Sequence, residues 1–251
     1  MSGVKLVAPN AKYFVELLNS VYAIRNDALL EFDENKMTVS TVDEARVALA
    51  ELQVSNKIFE EYECPEPIKL AITLWDLMRA LSGAKSSEPL TLTIENDVIN
   101  VKMIRGDGME KQYSFHLIQA DLQNLPKPSF DWKAYAKLTA KELKEAIKDC
   151  KLFNVQVSVT ISPEELRFAA SGDNGKALIR YVKDGSHIHE LSADGEETAM
   201  FSISYLERIA KAGGAVSDFV EISMLTNKPM KLCYPLPEGQ VSYLLAPIIE
   251  T

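Results

Sequence analysis

The stretch Asn10–Val21, NAKYFVELLNSV, returns at an offset of 129 residues as Thr139–Cys150, TAKELKEAIKDC. Apolar residues recur at helical spacing in both copies: Phe14, Leu17, Leu18 and Val21 in the first, Leu143, Ala146, Ile147 and Cys150 in the second. Asn10 and Thr139 stand in front as capping residues, and Glu142 follows Thr139 in the spacing of a reciprocal capping box. A second pair, Thr73–Ser82 and Ser202–Lys211, matches at the same offset, with Leu77 on Leu206 and Arg79 on Arg208. Two helices sharing one offset predict a duplicated domain, because the period is too long for a solenoid unit.

Around these helices, each half reads as helix, strands, helix, strands. The first half offers short strand patterns at Lys5–Ala8, Ala28–Phe32, Met37–Thr41, Val47–Val54, Leu90–Ile94, Val98–Ile104 and Lys111–Ile118. The second offers Val155–Ile161, Leu166–Ser171, Ala177–Val182, His187–Ser192, Phe219–Met224, Met230–Tyr234 and Val241–Leu245. Pro126 and Pro128 exclude a continuous helix through Gln119–Tyr135, which reads as a connector. The expected organisation is residues 1–118, a connecting loop 119–135, and residues 136–251.

The composition, 47% hydrophobic and 25% charged, is that of a chain able to build a core. No apolar run approaches the roughly 20 residues of a membrane helix, and MSGVKLVAPN has no long apolar signal region. Cys64, Cys150 and Cys233 are widely spaced and read as reduced core thiols. A net charge of −9 argues against nucleic-acid binding through the whole surface, but not through one basic face.

No catalytic motif is present: there is no phosphate-cradling glycine loop, nucleophile elbow or HExxH helix. His187-Ile188-His189 places two imidazoles on one side of a strand, but no third ligand lies nearby in sequence, so no metal or other cofactor is assigned. The second-half helix carries Lys141, Lys144, Lys148 and Lys151 within about 80° of one another. With Lys12, Arg79, Arg208 and Lys211 on the other helices, the polar faces could present bases to phosphate oxygens, contacts that position a duplex without reading its sequence. A solvated helix with mixed charge pairs is the competing reading. The C-terminal Tyr243–Ile249 is apolar almost to its end, which suits a final core strand followed by a patch for a partner.

These features resemble the DNA sliding clamps of the proliferating cell nuclear antigen (PCNA) family, in particular its archaeal members. Leu245-Ala246-Pro247-Ile248-Ile249-Glu250 is similar to the family's LAP-[KR]-[IV]-E ending, with Ile248 in place of a base. Val42-Asp43 followed by Arg46-Val47-Ala48-Leu49 resembles the clamp's MD-x-x-HVSL segment, and LRFAASGD at 166–173 its VKFSASGE.

The resemblance implies an α+β fold of two like domains, each with two helices packed on antiparallel sheet, and a non-catalytic ring of three chains around duplex DNA that serves as a processivity factor. Lys12, Arg79, Lys148, Arg208 and Lys211 fall on or near lining positions, with Lys141, Lys144 and Lys151 added from the stripe. Glu16, Asp76 and Glu145 make that lining only modestly basic. The subunit interface would pair Lys111, Tyr113, Phe115 and Leu117 of one chain with Ala177, Ile179 and Tyr181 of the next. Partners implied are DNA polymerase, the clamp loader (replication factor C), flap endonuclease and DNA ligase. Each would bind through a short motif, a glutamine followed by an aliphatic residue and two aromatics. The pocket for that motif would be Val42, Arg46, Val47, Leu49, Leu122, Leu125, Pro126, Pro229, Leu244, Leu245, Ala246, Pro247 and Ile249. The implied location is cytoplasmic and nucleoid-associated, or nuclear in a eukaryote. Three alternatives remain open: one subunit of a heterotrimeric clamp, a peptide-binding scaffold without DNA, and a metal-dependent hydrolase using His187 and His189.

Overall fold

The computed structural model describes residues 3–118 and 128–249. In chain order the first half contains β1 (Val4–Ala8), α1 (Ala11–Tyr22), β2 (Asp27–Phe32), β3 (Lys36–Val42), β4 (Ala48–Ser55), a 3-10 turn (Asn56–Ile58), β5 (Glu61–Glu63), β6 (Ile68–Thr73), α2 (Leu74–Ala80), β7 (Leu90–Glu95), β8 (Val98–Ile104) and β9 (Glu110–His116). The second contains β10 (Ala134–Thr139), α3 (Ala140–Lys151), β11 (Gln156–Ile161), β12 (Glu165–Gly172), β13 (Gly175–Val182), β14 (Ile188–Ala193), β15 (Glu197–Ser202), α4 (Ile203–Gly213), β16 (Phe219–Met224), β17 (Met230–Leu236) and β18 (Gly239–Leu245). The fold is α+β, with helices laid on antiparallel sheet.

The offset of 129 runs through the whole architecture. Strand order β5-β1-β7-β8-β9 in the first half reappears as β14-β10-β16-β17-β18, and β4-β3-β2-β6 as β13-β12-β11-β15. β9 and β18 coincide residue for residue at that offset. So do two backbone bonds that start the second helix of each half, Leu74 N–H to the Asn26 carbonyl at 2.6 Å and Ile203 N–H to the Val155 carbonyl at 2.9 Å.

Two compact units result. The first comprises Met1–Val42, Glu51–Pro126 and Pro237–Gln240; the second comprises Asp43–Ala50, Lys127–Leu236 and Val241–Thr251. β4 and β18 therefore contribute residues to both units. Within the second, Ala246 N–H donates to the Val47 carbonyl at 2.8 Å; within the first, Ser55 N–H donates to the Glu238 carbonyl at 2.8 Å.

Alternation explains the sheets. β7 buries Leu90, Leu92 and Ile94, and β8 buries Ile99, Val101 and Met103, while the residues between them are more exposed. The helices bury the faces read from sequence: Phe14, Leu17, Leu18 and Val21 on α1, and Leu143, Ala146, Ile147 and Cys150 on α3. Each such leucine contributes about 1.5–3 kcal/mol by leaving water. Asn10 caps α1 by accepting the Tyr13 N–H at 2.9 Å. Thr139 and Glu142 complete a capping box on α3, with Glu142 N–H to Thr139 Oγ1 at 3.2 Å and Thr139 N–H to Glu142 Oε2 at 3.1 Å. α4 ends at Gly213, where a Cβ would come within 2.4 Å of the buried Tyr234 ring.

Four strands differ from the sequence expectation. β10 starts at Ala134, so Ala134 and Tyr135 belong to a strand rather than to the expected connector 119–135. β5, β6 and β15 are additional strands. Cys150 and Cys233 are buried thiols as expected, but Cys64 is only half-buried, its Sγ donating to the Glu66 carbonyl at 3.2 Å.

Candidate functional site

Three surfaces carry the residues singled out by the sequence. The first is the polar face of the helices. Lys141, Lys144, Lys148 and Lys151 are all exposed on α3, because the apolar stripe of that helix is turned into its unit. Acidic neighbours temper the charge: Lys141 lies 3.9 Å from Glu145, and Lys151 forms a 2.6 Å ion pair with Glu207 on α4. Among the described residues, Lys144, Lys148 and Lys211 have no ion pair, and Lys141, Lys144 and Lys211 line one groove of about 590 Å³ with Ala210, Gly214 and Asp218. In the first unit, Lys12 sits 3.9 Å from Glu16, and the Arg79 guanidinium lies 5.6 Å from the centre of the Trp75 ring. Arg208, the repeat mate of Arg79, is stacked in the same manner at 4.5 Å from Tyr205.

The second surface is the turn at Asp43–Val47 beside the C-terminal segment, all within the second unit. Asp43 closes the turn. Its N–H donates to the Ala48 carbonyl at 3.0 Å, and its own carbonyl accepts the Arg46 N–H at 3.0 Å. Arg46 takes the left-handed conformation, φ 56°, that this tight reversal requires. One carboxylate oxygen of Asp43 accepts the Val47 and Ala48 N–H groups at 2.8 Å each, and the other accepts the Tyr205 hydroxyl at 2.6 Å. Burial pushes this carboxyl up. The Ala48 N–H, the Tyr205 hydroxyl and the Val47 and Ala45 N–H groups outweigh it and hold Asp43 below the usual carboxylate range. The Val47 carbonyl then takes the Ala246 N–H, and Ile248 N–H reaches the Met200 carbonyl of β15 at 2.7 Å.

Expected groove residues distribute unevenly here. Val47, Leu49, Pro229, Leu244, Ala246 and Pro247 are half-buried, Arg46 is exposed, and Ile249 is 71% exposed. Val42 is half-buried at the end of β3 in the first unit. Leu245 is fully buried, since β18 alternates Val241, Tyr243 and Leu245 inward, so it supports this surface from beneath instead of lining it. Leu122, Leu125 and Pro126 lie outside the described residues. Asp43 and Tyr205 were given no role from sequence. Their partnership spans 162 positions, and the one signal in the sequence is the place of Asp43 in the clamp-like segment Val42–Leu49.

The third surface is a pair of open strand edges, β9 in the first unit and β13 in the second. Lys111, Tyr113 and Phe115 are half-buried on β9, with Tyr113 and Phe115 stacked at 6.4 Å. Leu117 lies past the strand end, its N–H already used by the Asp97 carbonyl. On β13, Ala177, Ile179 and Tyr181 are half-buried, while Leu178 and Val182 are 59% and 52% exposed. The Tyr181 hydroxyl donates to the Glu142 carbonyl at 3.1 Å; burial first, then the Glu142, Glu145 and Asp149 charges, push its phenol up to about 12.

His187 and His189 are not brought to a common ligand. β14 begins at Ile188; His187 Nδ1 contacts the Glu142 carboxylate, and His189 packs edge-on against Phe219 at 5.0 Å. Among the described residues, no group of three His, Cys, Asp or Glu side chains is placed to hold a metal ion. No described helix is long and apolar enough to cross a membrane.

Residues 4–124 match the family profile "Proliferating cell nuclear antigen, N-terminal domain", and residues 127–248 match that of its C-terminal domain. A DNA polymerase sliding clamp of Thermofilum pendens is 25% identical over 248 residues, covering 98% of this chain and 100% of its own. One of Thermococcus gammatolerans is 27% identical over 248 residues, 98% of each. The crystal structure of a PCNA from Thermococcus kodakaraensis has the same fold, with a TM-score of 0.89 at 23% identity over 98% of this chain and 100% of that one. Matched in both domains, in order and over nearly its whole length, this chain belongs to the PCNA family of DNA polymerase sliding clamps.

Proposed function

We propose that copies of this chain close head to tail into a three-membered ring around duplex DNA, where it holds DNA polymerase and other replication and repair proteins as a processivity factor. One observation carries the ring. The open edges β9 and β13 are the repeat mates of β18 and β4, and those two strands are neighbours within the chain. The same pairing made between copies would cover both edges, which are otherwise templates for unwanted association. The rotation between copies then decides closure.

The lysine-rich faces of α3 and α4, with Lys12 and Arg79 of the first unit, would line the hole and meet phosphates weakly enough to slide. Clients of the polymerase, clamp-loader, flap-endonuclease and ligase classes would dock by their short motif on the surface around Val47, Ala246, Pro247 and Ile249, joined by the connector residues Leu122, Leu125 and Pro126. The role is binding without chemistry, carried out wherever the DNA is replicated. Light scattering and DNA retention test the ring together. A mass three times that of the chain, with retention on circular DNA that is lost on linearisation, is expected. A stable monomer would require paralogous partner chains or overturn the ring. Leu125→Ala and Ile249→Ala are each expected to weaken a client peptide while leaving that mass intact; unchanged affinity in both would remove the docking assignment.

A further inference from the structure

We propose that Tyr205 is a positioning residue for the client-docking surface: its hydroxyl clamps the Asp43 turn to α4 and so sets the place of the Val47 carbonyl that holds the C-terminal segment. The inference rests on the docking reading above and goes beyond it, since Tyr205 is no part of the expected groove.

The chain of contacts is short and continuous. Tyr205 lies in the first turn of α4, a helix anchored by the buried Ile203, Leu206 and Ile209. Its hydroxyl donates to Asp43 at 2.6 Å, a charge-assisted bond to an acceptor only 8% exposed. Asp43 in turn fixes the N–H groups of Val47 and Ala48, and the Val47 carbonyl receives Ala246. The residues between, Glu44, Ala45 and Arg46, are exposed, so beyond its own backbone bonds the turn is tied to a second element by the carboxylate. Without the Tyr205 donor, that carboxylate keeps its bonds inside the turn but loses the bond to a second element. The turn is then free to shift against the helix.

Arg208 braces the arrangement from the other side. Its guanidinium lies 4.5 Å from the ring centre, favouring one placement of the phenol. A helix residue counted among the DNA-facing bases therefore shares a side chain with the wall of the docking surface. Asp43 and Arg208 act on the phenol in opposite directions, the Asp43 bond raising its proton affinity and Arg208 lowering it, and the net result is a raised value.

The test uses the full-length protein and a synthetic peptide bearing glutamine, an aliphatic residue and two aromatics. Affinity is measured well below the unfolding temperature for wild type, Tyr205→Phe, Asp43→Asn, the double variant and Arg208→Ala. Loss of one hydrogen bond to a charged acceptor corresponds to a rise in Kd of roughly tenfold for Tyr205→Phe. In the double variant, Tyr205→Phe is expected to add less than about twofold to the effect of Asp43→Asn, because both remove the same link. Arg208→Ala is expected to weaken the peptide about twofold.

A pH profile separates positioning from plain stability. The charged or titratable groups at the turn are Glu44 and Arg46 on its own segment, Arg25, which donates to the adjoining Val42 carbonyl at 3.4 Å, and Tyr205 and Arg208 on α4. Removing the phenol donor raises the carboxyl's proton affinity, so the acid loss of peptide binding should move to higher pH in Tyr205→Phe. If wild type binds and Tyr205→Phe binds within twofold of it, with the same acid limb, the positioning role is overturned and the docking surface stands. If the wild-type chain itself fails to bind the peptide, the docking reading falls and takes this inference with it.

Discussion

β9 and β18 are the same strand of a duplicated domain in two circumstances. β18 turns Val241, Tyr243 and Leu245 into the core. At the matching positions β9 carries Gln112, Ser114 and His116, all exposed. β4 and β13 differ more gently: β4 buries Ala48, Ala50, Leu52 and Val54, while the matching Ala177, Ile179 and Tyr181 are half-buried. Where the chain supplies its own neighbour, the strand is built as core. Where the chain leaves an edge unpaired, the strand is more polar, and that polarity keeps it from pairing with arbitrary strands.

The two halves can be set against each other by substitution. The largest effect is expected from Asp43→Ala, which strips two backbone N–H groups and a phenol of their acceptor and should cost about 3 kcal/mol in denaturant unfolding. Its repeat mate is Gly172, so the second half has no such clamp to lose. Next comes Gly213→Ala. The first half has Ala84 at the matching position, but a Cβ at 213 meets the Tyr234 ring, and a loss of about 2 kcal/mol is expected by calorimetry.

The caps form a third comparison. Thr139→Ala and Asn10→Ala should each cost about 1 kcal/mol near neutral pH. They separate in acid. Burial raises the Glu142 carboxyl, but the His187 and Thr139 contacts outweigh it and hold Glu142 low. A carboxyl lowered in the folded state gives its full stabilisation above the ordinary carboxylate range and loses it as pH falls through the folded value. Asn10 does not titrate. Amide protection along α3, measured against the intrinsic exchange rate at each pH, should therefore fall on acidification before that along α1; equal acid sensitivity would break this distinction.

The smallest effect concerns charge. If Lys148 contacts a phosphate, Lys148→Ala should flatten the salt dependence of DNA binding by about one unit of logarithmic slope. Lys12→Ala should change it less, because Glu16 already shares that charge.

Legibility in the sequence followed the range of the forces involved. Helix faces and caps depend on residues three or four apart, and α1, α3 and α4 came out close to their expected bounds. Strands with clear alternation, such as β7 and β8, were equally readable. β5 is three residues long with a glutamate at each end, and β10 begins inside a stretch whose prolines suggested a loop. β5 is too short to show alternation, and β10 alternates Ala134, Ala136 and Leu138 inward, where the two alanines stand out little; both are strands because partners lie beside them. The Asp43 turn shows the same limit. Val47 and Ala246 could be named by resemblance, but the Asp43–Tyr205 bond joins positions far apart in the chain, and nothing near either residue announces the other.

Residues 43–50 are made early and belong to the second unit, whose remaining residues begin at Lys127. During synthesis this segment waits for residues that begin at Lys127, and Val47 waits for Ala246, 199 positions later. The late partner makes the final docking a long loop closure, slow and exposed to aggregation. It also means that cutting the gene at the connector would not release two working modules, because the C-terminal fragment would lack a strip of its own structure. The duplicated domain has become a single inheritance.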